Sequence, residues 1–169
     1  MIVRFVCPGS FDPITYGHLD IIERGVKLCS HMIVAVLDNP AKNLVFSAVE
    51  RAGLIERALE ECGIKAEVEI FNGLLADYAK KKKADVILRG LRNPKDFLTE
   101  YQYSVYNNKL SGGVETLFLP GSPCFSYISS SIVKEAVNLL YENRSECNAI
   151  DNWVPPGVKE ALRSKFFKG

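Results

Sequence analysis

Six consecutive apolar residues, Met32-Ile33-Val34-Ala35-Val36-Leu37, constrain the fold more than any other stretch. A strand apolar at every position has no face to give to water, so both faces must be covered, as in a parallel sheet. Further strand-length runs occur at Ile2-Val3-Arg4-Phe5-Val6, Ala66-Glu67-Val68-Glu69-Ile70-Phe71, Asp85-Val86-Ile87-Leu88 and Glu115-Thr116-Leu117-Phe118-Leu119. Between them apolar residues recur at helical spacing. Leu19, Ile22 and Val26 mark a helix to about Cys29; Ala52, Ile55 and Leu59 mark another, opened by the capping box Ser47-Ala48-Val49-Glu50 and closed by Gly63. Leu74, Leu75, Tyr78 and Ala79 suggest a short helix, Asn93-Pro94 opens a long one through about Leu110, and Ile132, Val133, Ala136, Leu139 and Leu140 mark the next. A last helix covers about 155–167. The alternation predicts a Rossmann-like, doubly wound α/β domain with a five-stranded parallel sheet. The run 66–71 alternates polar with apolar and belongs near the sheet edge, and the polar stretch 143–151 reads as a mobile loop.

Length and charge narrow the function. A chain of 169 residues, 47% hydrophobic, supports one domain over 1–169. Twenty-one basic against 20 acidic residues leave a net charge of +1, without the global field of a nucleic-acid or membrane binder. Any anion must be bound locally. Five scattered cysteines with no C-x-x-C pair argue against a disulfide framework and a structural zinc. No signal-peptide layout and no membrane-length apolar run are present, so a cytoplasmic location is expected. The run Lys80-Lys81-Lys82-Lys83 could be a nucleic-acid patch, but it lacks interleaved aromatics and reads better as a solvated helix end.

The chemistry-bearing residues fall where strands hand over to helices. Cys7-Pro8-Gly9-Ser10-Phe11-Asp12-Pro13-Ile14-Thr15-Tyr16-Gly17-His18 is a strand-to-helix turn, where free N–H groups and the helix dipole attract phosphate. Gly9 permits close approach, Ser10 and Thr15 offer hydroxyls, and His18 sits in the first helical turn. Ordinary turn chemistry and a packed histidine are the plain alternative. Lys42 follows the second strand at the same sheet edge, and Arg89-Gly90-Leu91-Arg92 follows the fourth. The two arginines read as an anion clamp or as structural ion pairs. Ser129-Ser130-Ser131 at a helix start exceed what capping needs and form a second candidate phosphate cradle. Neither a Walker-type Gly-Lys-Ser/Thr nor Gly-x-Gly-x-x-Gly is present, and no nucleophilic triad is evident. Phosphoryl or nucleotidyl transfer needs none, because positioning and charge stabilisation do most of that chemistry.

Pro8-Gly9-Ser10-Phe11-Asp12-Pro13-Ile14-Thr15-Tyr16-Gly17-His18, Ile87-Leu88-Arg89-Gly90-Leu91-Arg92 and Phe125-Ser126-Tyr127-Ile128-Ser129-Ser130-Ser131-Ile132-Val133-Lys134-Glu135 together closely resemble the bacterial phosphopantetheine adenylyltransferase family. Thr15-x-Gly17-His18 is similar to the T/H-x-G-H signature of the nucleotidyltransferase superfamily. The resemblance implies transfer of adenylyl from ATP to 4′-phosphopantetheine, with Mg²⁺ as cofactor and a homohexamer as the assembly. It implies that His18 stabilises the α-phosphate, that Ser10 orients the attacking phosphate, and that Lys42 and Arg89 hold it. Leu75 would line the pantetheine arm. Ser10, Phe11, His18, Gly90, Leu91, Arg92, Glu100, Phe125, Ser126, Tyr127, Ile128, Ser129, Ser130 and Ser131 would hold ATP. Cys7 stands where the family often has an aromatic residue, Ser10 where it has Thr and Phe125 where it has Trp. Three other readings remain: a related transferase acting on nicotinate mononucleotide or glycerol 3-phosphate, a nucleotide-binding module without catalysis, and an RNA binder using the lysine run.

Overall fold

Five strands, β1 (Arg4–Gly9), β2 (His31–Leu37), β3 (Glu67–Phe71), β4 (Val86–Leu91) and β5 (Glu115–Pro120), pair in parallel in the order β3-β2-β1-β4-β5. The computed structural model describes residues 3–39, 43–142 and 150–166. Its helices are α1 (Tyr16–Val26), α2 (Ala48–Glu61), α3 (Leu75–Lys81), α4 (Pro94–Ser111), α5 (Ser130–Glu142) and α6 (Pro156–Phe166), with a turn of 3-10 helix at Pro123–Phe125. The expected α/β architecture is present, with the wet-faced β3 at one edge.

Both faces of the sheet are covered, as the apolar run in β2 requires. Phe5, Cys7, Val34 and Val36 pack on one face with Leu19 and Ile22 of α1, Ile55 and Leu59 of α2, Val133 and Val137 of α5, and Val158 and Leu162 of α6. Val6, Ile33, Ala35 and Ile87 point the other way, onto Tyr78 and Ala79 of α3. Burying a side chain of this size contributes about 1.5–3 kcal/mol, so the two clusters supply the main driving force.

Several boundaries differ from expectation, each for a physical reason. The first strand runs to Gly9 rather than ending at Val6, because six residues pair with β2 from Arg4↔His31 to Gly9↔Val36. Pairing of β1 with β4 is confined to Phe5↔Val86 and Val6↔Ile87. Beyond that point the two strands part. Pro8, which has no N–H to give, stands where this ladder has ended. The fourth strand likewise extends past Leu88 to Leu91, held by β5 through Leu91↔Pro120. Helix α1 stops at Val26 instead of Cys29, with Leu28 N donating to the Gly25 carbonyl at 2.9 Å. Of the expected loop at 143–151, residues 143–149 lie outside the described residues, and Ile150 is fully buried in the core. The lysine run ends α3: Lys82 pairs with Glu69, while Lys80, Lys81 and Lys83 are exposed.

Candidate active site

The parting of β1 from β4 opens a cleft beyond the carboxyl ends of both strands, where the strand order reverses and doubly wound sheets hold their ligands. Its volume is about 310 Å³. Of the residues singled out in the sequence, Ser10, Phe11, His18, Arg89, Gly90, Leu91, Arg92, Glu100, Phe125, Ile128, Ser129, Ser130 and Ser131 line it. Lys42 lies outside the described residues. Leu75 packs against the cluster under α3, Ser126 Oγ donates to the Pro123 carbonyl at 2.9 Å, and Tyr127 is exposed with its ring in a T-shaped contact with Trp153. Those three are not among the lining residues.

Thr15 caps α1 with His18 as the third helical residue, and this capping box fixes the imidazole. The Thr15 amide donates to His18 Nδ1 at 3.1 Å, and Thr15 Oγ1 lies 3.0 Å from the same nitrogen. An amide can only donate, so Nδ1 is the acceptor and the neutral ring carries its proton on Nε2. Burial, reinforced by the charges of Arg92 and Arg89, pulls the imidazole pKa down to about 4. The ring is therefore a neutral hydrogen-bond donor at neutral pH. Because the folded pKa is below the unfolded one, the stability linked to this group is complete above about pH 6.5 and is lost as pH falls toward 4. A ¹⁵N NMR titration should find His18 neutral and protonated on Nε2 from about pH 5.5 to 8, where an unperturbed histidine changes charge. A midpoint near the ordinary histidine value would contradict the geometry.

Arg89 crosses the gap that the strands leave. Its Nη1 donates to the Pro8 carbonyl at 2.6 Å, and its other edge forms a two-pronged pair with Glu100 of α4, Nε to Oε2 at 2.7 Å and Nη2 to Oε1. Arg92 folds onto Asp96, Nε to Oδ2 at 3.0 Å. The guanidinium planes are thus held before any ligand arrives. Gly90 is required beside them, since a Cβ there would sit 2.7 Å from Ile21 Cγ1.

The serines divide their work. Ser129 Oγ accepts from the Ile132 amide at 3.2 Å as the cap of α5, and Ser130 Oγ donates to the Pro13 carbonyl at 2.8 Å, tying that helix to the first loop. Ser131 is exposed at the cleft. The amino-terminal ends of α1 and α5 both border the cleft through Gly17, His18, Ser130 and Ser131. The Cys7 thiol, also at the cleft, is pushed up to about 12 by burial, so it is no thiolate nucleophile.

Sequence reasoning missed the residues that hold these loops. Asp20 of α1 accepts from the Ser122 amide at 3.0 Å and its hydroxyl at 2.6 Å, and Arg24 donates to the Pro120 carbonyl at 2.7 Å. Burial alone would raise the Asp20 pKa, but these bonds from Ser122 and Arg24 hold it below the usual range. Phe11 has φ 48°, a left-handed conformation that costs a bulky residue on the order of 1–3 kcal/mol. Its ring meets His18 edge-on, with centroids 5.2 Å apart.

The chain matches the family model described as cytidylyltransferase-like over residues 6–136. It is 50% identical over 163 residues to a phosphopantetheine adenylyltransferase of Geobacter metallireducens, covering 96% of this chain and 95% of that protein. It is 45% identical over 163 residues to the phosphopantetheine adenylyltransferase of Caldanaerobacter subterraneus, covering 96% of this chain and 97% of that one. Among solved structures, the Plasmodium falciparum nicotinic acid mononucleotide adenylyltransferase complexed with NaAD superposes with a TM-score of 0.70 at 16% identity, over 99% of this chain and 97% of the other. That likeness is one of fold.

Proposed function

We propose, from the premise that this chain belongs to the cytidylyltransferase-like family and within it to the phosphopantetheine adenylyltransferases, that it transfers the adenylyl group of ATP to 4′-phosphopantetheine, giving dephospho-coenzyme A and pyrophosphate. The observation that carries the reading is convergence. One cleft is bordered by a neutral Nε2–H donor, two pre-held arginines and two helix amino termini, a lining suited to a polyphosphate.

An oxygen of the phosphopantetheine phosphate attacks the α-phosphorus of ATP, the bond from that phosphorus to the bridging oxygen breaks, and pyrophosphate leaves with the electron pair. The transition state gathers negative charge on the α-phosphate oxygens. His18 Nε2–H donates to one of them, and needs no reorganisation to do so because Thr15 already fixes the ring. Ser10 orients the attacking phosphate, and Arg89 and Lys42 hold it and the transition state. Gly90, Leu91, Arg92, Phe125 and Ile128 enclose the nucleotide, while Ser129, Ser130, Ser131 and the α5 amino terminus take the β- and γ-phosphates. Glu100 acts through Arg89, whose orientation it sets.

Among the described residues no three His, Cys, Asp or Glu side chains cluster to cage a metal, and the cleft carboxylates Asp96 and Glu100 are each engaged by an arginine. This lining fits Mg²⁺ carried in on the nucleotide, where it would neutralise phosphate charge. The enzyme works in the cytoplasm; among the described residues no helix is long and apolar enough to cross a membrane. Helix α4 exposes Leu98, Tyr101, Tyr103, Val105, Tyr106 and Leu110 and buries only Ser111, which supports self-association through this helix; the proposed assembly is a homohexamer. Sedimentation should give six times the chain mass, and a monomer at working concentration would refute it.

Product analysis tests the reading. Incubation with ATP, Mg²⁺ and 4′-phosphopantetheine should yield dephospho-coenzyme A by mass, and a product formed only from nicotinate mononucleotide would overturn the acceptor. Exchange of labelled pyrophosphate into ATP should require dephospho-coenzyme A, because no adenylylated enzyme forms.

A further inference from the structure

Two buried charges lie behind the cleft rather than on it. Asp12, 2% exposed, accepts the Phe46 amide on Oδ1 and the Val45 amide on Oδ2, each at 3.0 Å, and Lys134 Nζ of α5 on Oδ2 at 2.9 Å. Arg51 of α2, 1% exposed, spends its guanidinium on three main-chain carbonyls: Ser10 at 2.5 Å, Leu37 at 3.0 Å and Phe46 at 3.2 Å. Its nearest carboxylate, Asp38, is 3.9 Å away and half exposed. The Phe46 main chain is therefore gripped at its N–H by Asp12 and at its carbonyl by Arg51. In the first loop, the same two residues fasten the positions on either side of Phe11, the Ser10 carbonyl and the Asp12 carboxylate.

Phe11 is the residue with a reason to move. A phenylalanine in the left-handed region relaxes unless its surroundings over-determine it. Held there, its ring lies so close over Gly9 that a Cβ on that glycine would be 2.8 Å from Phe11 Cζ, and it meets the His18 imidazole edge-on. We propose that Asp12 and Arg51 are positioning residues: they clamp the backbone on both sides of Phe11 so that its ring holds His18 at the angle from which Nε2–H meets the reacting phosphate. The proposal rests on the adenylyl-transfer reading above. Lys134 pairs with the buried Asp12 carboxylate and links the clamp to the helix bearing Ser130 and Ser131.

Asp12→Asn keeps the shape but presents one acceptor oxygen where two amides need two, and Arg51→Lys keeps the charge but cannot fork to three carbonyls. Each is expected to lower kcat about 10²-fold, the cost of a misplacement near 1 Å, with KM for ATP nearly unchanged. The chain has only two histidines, His18 and His31, so the ¹⁵N imidazole spectrum reads the clamp directly. In both variants the His18 ring-proton signals, which feel the Phe11 ring current, should shift while Nε2, fixed by Thr15, stays protonated and the His31 signals stay. Should Asp12→Asn fail to fold, Arg51→Lys, which leaves both amide bonds to Asp12 in place and loosens the grip on the Ser10 carbonyl, carries the same test. A native kcat in a folded variant, or a lowered kcat with native His18 signals, overturns the clamp. A native enzyme that forms no dephospho-coenzyme A would instead defeat the adenylyl-transfer reading, and the His18 signals still report on the clamp.

Discussion

Replacing His18 with alanine is expected to lower kcat by about 10²- to 10³-fold while leaving ATP binding largely intact, the signature of a donor whose bond strengthens only in the transition state. The magnitude follows from pre-organisation. Thr15 occupies Nδ1, burial and two arginines keep the ring neutral, and Phe11 supports it edge-on, so the donor meets developing charge without rearranging. His18→Gln, which can also offer an N–H, should recover part of the loss. A rise in KM for ATP with unchanged kcat would place His18 in ground-state binding instead.

Arg89→Met should cost more, because it removes two things at once. The cleft loses the cation that bridges β1 and β4, which on the proposed function holds the phosphates, and Glu100 is left as a mostly buried carboxylate without its partner. Breaking one side of such a pair typically destabilises by about 3–5 kcal/mol, and loss of the phosphate contact should lower kcat/KM by on the order of 10³-fold. Thermal denaturation and steady-state kinetics separate the two effects. Adding Glu100→Gln to Arg89→Met should restore much of the melting temperature and none of the activity; recovery of activity would assign Arg89 to stability alone. Arg89→Lys retains the charge but not the fork to Glu100, so it should fall between the two.

What the sequence revealed depended on how local the cause was. The capping box at Ser47 and Glu50, the β2 run and the position of His18 in the first turn of α1 are fixed by residues within a few places of one another, and each is found as read. The strand ends were not legible. Whether β1 stops at Val6 or at Gly9, and β4 at Leu88 or at Leu91, is decided by neighbours 27 or so residues away in β2 and in β5. Site partners behaved the same way: Glu100 is singled out only by the family resemblance, and its bond to Arg89 exists only once α4 folds over the end of β4. One missed residue did leave a trace. Arg51 falls four places before Ile55, on the stripe that Ile55 and Leu59 continue into the core, and a cation there must find main-chain or acidic partners. Asp12 left none, since its donors come from residues 45, 46 and 134.

The measurement that bears most directly on the function is pyrophosphate release from ATP and Mg²⁺ with 4′-phosphopantetheine, beside nicotinate mononucleotide and a control without acceptor. Release that depends on 4′-phosphopantetheine, and is largely lost in His18→Ala, is the expected result. Release that depends on nicotinate mononucleotide instead, or that is the same with His18 replaced, would contradict it.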